Sequence, residues 1–273
     1  MTALRRRPAA APAVRAPWGW AVAGVLIGAA FMLVTQAPAR WLAAGLARAT
    51  GGMLLLTEPQ GSVWSGSARL VLTGGAGSQD SAALPGRVQW RLTPALPGVQ
   101  AQVTADCCTA GAPLRLRVAP RWGGARVALA DGQSQWPSAL LTGLGTPWNT
   151  LQPEGELSLS TQGLAAEWLA GRLQVDGRAE VTARHVSSRL STLRPIGSYQ
   201  LKLSGGEAVA LDLSTLEGSL RLSGSGQWVG GRLRFNGEAS AAPGLEAQLA
   251  NLLNIIGRRP GDRALLSFGC APP

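Results

Sequence analysis

Short runs of alternating apolar and polar residues dominate the chain after Thr50. Three of them are residues 67–73 (SARLVLT), 87–92 (RVQWRL) and 114–119 (LRLRVA), and each is followed closely by Gly or Pro. A period of two places successive side chains on opposite faces of a strand, as a half-buried antiparallel sheet requires. The pattern therefore predicts a mostly β protein whose strands form an antiparallel meander.

Glycine marks the predicted strand boundaries in the second half. A glycine followed by alternating residues occurs at Gly155, Gly171, Gly197, Gly218 and Gly231, with spacings of 16, 26, 21 and 13 residues. Propellers and solenoids hold a fixed period, so this uneven spacing argues against both. Glycine at strand ends is typical of bulges and tight turns that bend a sheet. A curved sheet or half-barrel is therefore expected.

Two segments interrupt the strand pattern. Residues 137–153 mix turn residues with leucines, which indicates a loop or short helix at a join between two possible halves. Residues 245–256 (LEAQLANLLNII) repeat leucine or isoleucine at the spacing of one helical face, which predicts a short C-terminal amphipathic helix. Gly257 stands just past its expected end, and residues 264–268 (ALLSF) predict a final strand.

The segment from 18 to 37 contains no charged residue. Twenty helical residues span the roughly 30 Å hydrocarbon layer of a membrane. Four arginines precede the segment and only two follow closely, which places residues 1–17 in the cytoplasm and residues 38–273 in the periplasm as a β-rich domain. Because proline occupies the middle of the one cleavage-like sequence, residues 37–39, a retained transmembrane helix is favoured over a removed signal peptide. Residues 38–50 then suit a short helix lying against the membrane.

Three cysteines would be exported into an oxidising compartment, where thiols tend to pair. Cys107 and Cys108 are adjacent, and a ring closed between neighbours is strained. The expected disulfide therefore joins Cys270 to Cys107 or Cys108, and the sequence leaves open which. Two cysteines and the single His185 do not supply a tetrahedral zinc site, so no metal is expected.

The chain carries a formal net charge of +10, from 25 Lys and Arg against 15 Asp and Glu. Four of the arginines precede the apolar segment, and beyond it the longest basic run is the pair Arg258-Arg259. A nucleic-acid surface usually shows a denser basic cluster, so no nucleic-acid partner is expected.

No catalytic motif is present: the sequence contains no G-x-S-x-G, H-E-x-x-H, Walker loop or strand-following G-x-G-x-x-G. His185 lies among alternating residues, which favours a polar strand position over a general base. Glu154 and Glu156 are the closest carboxylate pair, and plain strand follows them, which favours a solvated edge over a glycosidase pair. The sequence therefore indicates no enzyme and no cofactor.

Five motifs, in order, resemble the type II secretion system protein N (GspN) family of Gram-negative bacteria. They follow the N-terminal apolar segment and are GSVWSG at 61–66, WRLTP at 90–94, PIGSY at 195–199, TLEGSLRLSGSGQW at 215–228 and LLNIIG at 252–257. The resemblance implies a non-catalytic, single-pass accessory component of the inner membrane that supports export of folded proteins from the periplasm across the outer membrane. It also implies that the partners are other inner-membrane subunits of that system.

The motif residues are expected to be structural rather than catalytic: Gly61, Trp64, Gly66, Trp90, Tyr199, Gly218, Trp228 and Gly257. An alternative function is a single-anchored periplasmic protein that carries or bridges lipid, as AsmA-like and lipopolysaccharide-transport proteins do. Those proteins also combine an anchor with a strand meander, and their lipid chains lie in a long apolar groove. Lipid is therefore a second possible partner besides the membrane itself.

Overall fold

The computed structural model describes residues 18–109, 111–169, 172–229 and 232–268. The expected cytoplasmic tail, residues 1–17, and Cys270 lie outside the described residues. The chain divides into two compact units, Met1–Ala37 and Pro38–Pro273.

The first unit contains one described helix, α1, at Trp18–Thr35. It has no charged residue and no buried side chain, and its mean hydropathy is 1.8. Among the described helices it alone is long and apolar enough to cross a membrane, a property that a signal sequence shares. The predicted apolar helix is thus observed and ends two residues before Ala37.

The second unit is built on one antiparallel sheet. Within the described residues the sheet has fifteen strands: β1 (Leu54–Gly61), β2 (Ser65–Thr73), β3 (Ser81–Ala83), β4 (Val88–Pro94), β5 (Val99–Ala105), β6 (Leu114–Arg121), β7 (Gly124–Leu129), β8 (Gly132–Pro137), β9 (Glu154–Leu169), β10 (Arg172–Ser187), β11 (Gly197–Ser204), β12 (Ala210–Gly218), β13 (Leu220–Val229), β14 (Arg232–Ala241) and β15 (Arg263–Phe268). The sheet is not closed, and its path runs from β1 to β15.

β3 and β8 lie off the main path of the sheet, and each continues a neighbouring strand after an interruption. β7 and β8 both pair with β9 in one unbroken register, from Gly124 opposite Leu169 to Pro137 opposite Glu156. The interruption between them is held by Asp131, whose Oδ1 accepts the Gly163 N–H at 2.6 Å. β3 and β4 also pair with successive parts of β2, but with a register shift between them. Each strand thus lies beside its neighbours in sequence, which confirms the predicted meander.

In the part of the chain that the structure describes, four short helical segments accompany the sheet: α2 (Ala39–Ala49), the 3-10 helix η1 (Ser138–Leu144), α3 (Trp148–Leu151) and α4 (Glu246–Ile256). α4 is the predicted C-terminal amphipathic helix, and η1 with α3 fills the interruption expected at 137–153. α2 is the short helix expected at 38–50, and its contact with the membrane stays a prediction. Ala39 and Leu42 pack it onto the sheet beside Trp90, because its apolar stripe has a partner there.

The core lies where helices cover an apolar face of the sheet. Leu249, Leu252 and Leu253 of α4 are at most 1% exposed and pack against β11, β13, β14 and β15. Leu140 of η1 packs in a second cluster with Leu84 and residues of β4 and β5. Burial of one apolar side chain stabilises the fold by about 1.5–3 kcal/mol, so α4 contributes a large part of the stability.

Candidate functional site

The first family motif forms a unit of two glycines and one indole. Gly61 and Gly66 are paired across β1 and β2, and Gly66 is paired with Trp90 across β2 and β4. A Cβ on Gly66 would lie 2.6 Å from Cζ2 of Trp90, so only glycine lets the ring lie over the strand. The indole N–H donates to the carbonyl of Val63 at 3.0 Å. The motif therefore fixes the β1–β2 turn beneath a ring that is 6% exposed.

A second unit of the same design holds the motif around Tyr199. Gly197 and Gly218 are paired across β11 and β12, and a Cβ on Gly197 would lie 2.7 Å from the Tyr199 hydroxyl. That hydroxyl donates to the carbonyl of Leu220 at 3.1 Å. Aromatic rings laid over strand glycines cover backbone that has no side chain of its own. Both units thus lie beside irregularities in strand pairing, between Thr57 and Gln60 in β1 and between Ser198 and Tyr199 in β11.

The remaining motif residues are more exposed. Trp64 is half-buried, and its carbonyl accepts the Leu92 N–H at 2.7 Å. Trp228 is 37% exposed near the end of β13. Gly257 lies where the chain leaves α4, so close to β15 that a Cβ would collide with the Leu265 carbonyl.

Burial raises the pKa of the Tyr199 phenol above its ordinary value. Because the folded protein holds this proton more tightly than the unfolded chain, stability is undiminished below pH ~10 and falls as the pH rises above it. Tyr199 is the only tyrosine in the chain, so tyrosinate absorbance reports on it alone. We expect the folded protein to show no tyrosinate absorbance at pH ~11, and denaturant to produce it at once. Tyrosinate absorbance from folded protein would contradict the burial.

The structure corrects the disulfide expectation. Cys107 is bonded to Cys108, with 3.8 Å between their Cα atoms, so neither is available to Cys270. One local and one long-range hydrogen bond hold this turn. Thr109 Oγ1 accepts the Ala105 N–H at 2.8 Å, and the Cys108 carbonyl accepts the N–H of Gln135 in β8 at 3.0 Å. The pair therefore closes a turn that borders β8 rather than linking the last strand to a distant one.

The structure places His185 and Glu154 at exposed positions, His185 near the end of β10 and Glu154 at the start of β9. His185 is exposed with a φ of 49°, at a bulge where its N–H donates to Ser198 Oγ at 3.2 Å. Glu154 forms ion pairs with Arg189 at 3.8 Å and Arg194 at 3.3 Å, and all three side chains are at least half exposed. These contacts are those of strand-end residues at the surface.

An apolar cavity lies between the sheet and its helices. Its volume is about 400 Å³. The name apolar cavity is used below for the space enclosed by the following residues. The sheet side is formed by alternate residues of successive strands, among them Leu157, Val181, Ala183, Leu201 and Leu213, and the helix side by Leu141, Trp148, Leu151, Leu252 and Ile256. The sequence analysis missed this site, although the same alternation of apolar residues that predicts the strands supplies its lining.

The β6–β7 and β9–β10 hairpins bear exposed apolar side chains near their turns. Trp168 is paired with Leu173 across β9 and β10, and Val118 with Val127 across β6 and β7. These four side chains are 37–54% exposed, and Trp122 in the β6–β7 turn is fully exposed. Exposed apolar groups in one region are typical of a contact surface.

Comparison with known proteins decides the family. A model of the type II secretion system (T2SS), protein N, matches residues 53–266. The chain belongs to this family. The matched range begins just before β1 and ends within β15, so it covers nearly all of the sheet that carries the T2SS protein N motifs. No curated protein and no solved structure matches the chain.

Membership makes the chain a component of type II secretion, a protein-transport system, and points to the cell envelope as its location. The family is generally non-catalytic and implies other secretion subunits as partners. The sequence-based assignment to the T2SS protein N family is thereby confirmed.

Proposed function

We propose that this protein is a non-catalytic accessory subunit of the type II secretion system, held in the inner membrane by α1 with its sheet in the periplasm. The observation that carries the proposal is the family match across the sheet. The described residues contain one helix able to span a membrane, and the sequence has no nucleotide-binding motif; both support a positioning role rather than that of a motor. The accessory role predicts partial loss of function when the subunit is absent.

The proposed topology places residues 1–17 in the cytoplasm and the chain from residue 38 onward in the periplasm. It is supported by the arginines that precede α1 and by the absence of any charge within it. A reporter that is active only in the cytoplasm, fused after Pro273, should be inactive. Full reporter activity would reject the topology.

The open ends of the sheet are the proposed contact sites for other subunits. β1 and β15 are its two end strands, and an end strand offers backbone groups to which a partner strand can add. β15 is bonded on its outer side to Arg258 by two hydrogen bonds at Leu265, of 2.7 and 3.1 Å. The remaining outward groups of these two strands support pairing with a partner.

Site-specific photo-crosslinking combined with a deletion tests the proposal. Deletion of the gene should lower the release of type II substrates without abolishing it, and the full-length chain should restore release. Crosslinkers at Gln60 in β1 and at Ser267 in β15, beyond the residue that is bonded to Arg258, should capture inner-membrane subunits of the system. The matched control is Lys202, which is exposed in the central strand β11 and should capture none. Normal release in the deletion strain would reject the proposal.

The lipid-carrying alternative is favoured by one observation, the apolar cavity. A carrier of whole phospholipid or lipopolysaccharide needs room for several acyl chains in a continuous channel. An apolar cavity of about 150 Å³ holds one benzene, so about 400 Å³ corresponds to roughly 16 carbon atoms. That is the size of a single acyl chain. Because a carrier of whole lipids needs room for several, the carrier function is the second candidate. Bulk phospholipid or lipopolysaccharide copurifying in several copies per protein, with normal secretion in the deletion strain, would reverse this order.

A further inference from the structure

The apolar cavity has the size and lining of a ligand site. Pockets that bind small molecules in proteins usually have volumes of about 300–1,000 Å³ and apolar linings with few polar groups. The volume of about 400 Å³ falls in this range, while voids in protein cores are seldom much larger than a water molecule. Trp148, which lines the cavity, is also 38% exposed, so the cavity reaches the surface beside this ring.

The polar groups of the lining determine the chemistry of the ligand. The hydroxyls of Ser138, Ser188 and Tyr199 already donate to the carbonyls of Pro153, Leu151 and Leu220, at 2.9, 2.6 and 3.1 Å. No proton of these three hydroxyls is left to bind an occupant. Ser187 supplies one further hydroxyl, and the rest of the lining is aliphatic or aromatic carbon, so an occupant gains free energy there mainly by burying apolar surface.

We propose that the apolar cavity binds one unbranched acyl chain. The volume accommodates roughly 16 carbon atoms, by comparison with the engineered cavity that holds benzene. Val181 and Ala183 on β10 form the sheet side, and Leu252 and Ile256 on α4 form the opposite side. An acyl chain bound between these residues contacts both α4 and the sheet. Free fatty acids and lysophospholipids both supply such a chain, and this site is independent of the strand-edge contacts proposed for secretion.

Fluorescence titration of the full chain tests the site. The protein is prepared in digitonin, which has no linear alkyl chain, and titrated with the fluorescent fatty acid cis-parinaric acid. We expect saturable binding of one probe per protein. Palmitate and palmitoyl lysophospholipid, added separately as competitors, identify the source of the chain, and displacement by either one supports the site. Across octanoate, laurate and palmitate, each added methylene should tighten binding by up to about fourfold.

Filling the cavity should remove binding. Ala183→Phe places a ring among the lining residues and should weaken probe binding at least about tenfold, because a packed core resists extra volume. Ala125→Phe is the matched control: Ala125 is half-buried on β7, outside the cavity lining, and this variant should bind the probe normally. Both variants are compared with the parent by thermal melting.

A measurement on the parent protein keeps the test decisive if Ala183→Phe fails to fold. A palmitate analogue with a diazirine near its methyl end is photo-crosslinked to the full chain, and the labelled peptides are located by mass spectrometry. Label on β10–β13 or α4 supports the site. Probe binding that does not saturate, equal binding by Ala183→Phe and the parent, or label confined to α1 would each overturn it.

Discussion

Leu249→Asp is expected to prevent α4 from docking and to leave the sheet unable to fold stably. Leu249 is fully buried in the core cluster with Leu252, Leu253 and Ala264. Loss of a buried leucine side chain costs about 2–5 kcal/mol, and an unpaired buried carboxylate adds several more. The sum approaches the whole stability of an ordinary domain, about 5–15 kcal/mol. Thermal melting and limited proteolysis should show no cooperative folded state.

The control for this variant is Ile255→Asp on the same helix. Ile255 is 39% exposed, so its carboxylate would remain hydrated, and the melting temperature should fall by only a few degrees. Equal loss in both variants would show that helix propensity, rather than docking against the sheet, determines the stability of α4.

Trp90→Ala is expected to lower the free energy of unfolding by about 3–5 kcal/mol. The ring is 6% exposed, packs with Ala39 and Ala68, and donates its N–H to the β1–β2 turn. Removing it leaves a cavity over Gly66 and frees α2 from its partner. Denaturant unfolding, monitored by circular dichroism, measures the change.

Trp122→Ala provides the matched comparison, because this ring lies in the β6–β7 turn and is fully exposed. Its unfolding free energy should stay within about 0.5 kcal/mol of the parent value. A small effect of Trp90→Ala, similar to that of Trp122→Ala, would contradict the role assigned to the glycine–indole unit.

The strands were largely predictable from the sequence because period-two alternation is a local property. The run at 114–119 lies within β6, and the apolar repeat at 245–256 corresponds to α4, Glu246–Ile256. Alternation identifies the two faces of a strand, but not what covers each face. For this reason the packing of α2 on the sheet could not be predicted, and neither could the space left between α4 and β10.

The cysteine pairing shows a second limit of prediction from the sequence. Strain between neighbouring cysteines is a local argument, and it favoured a long-range bridge to Cys270. In the structure, Thr109 and Gln135 hold the turn that brings Cys107 and Cys108 together, and Gln135 lies on a strand that the sequence does not link to that turn. The hydrogen bond from Gln135 to Cys108 joins segments that are distant in sequence, and an argument from the strain between neighbouring residues does not take such a contact into account.

Because the strands of the meander pair with strands adjacent in sequence, the sheet can form in the order in which the chain is exported. Under the proposed topology the sheet is exported from β1 toward β15, and every strand finds its partner in the hairpin that emerged just before it. Pairing between sequence neighbours keeps contacts local, which favours fast folding and limits the exposure of unpaired edges. The sheet can therefore lengthen strand by strand during translocation. Only β15 follows α4 in the chain, so α4 is exported late. It packs over the C-terminal strands when most of the sheet is already in place.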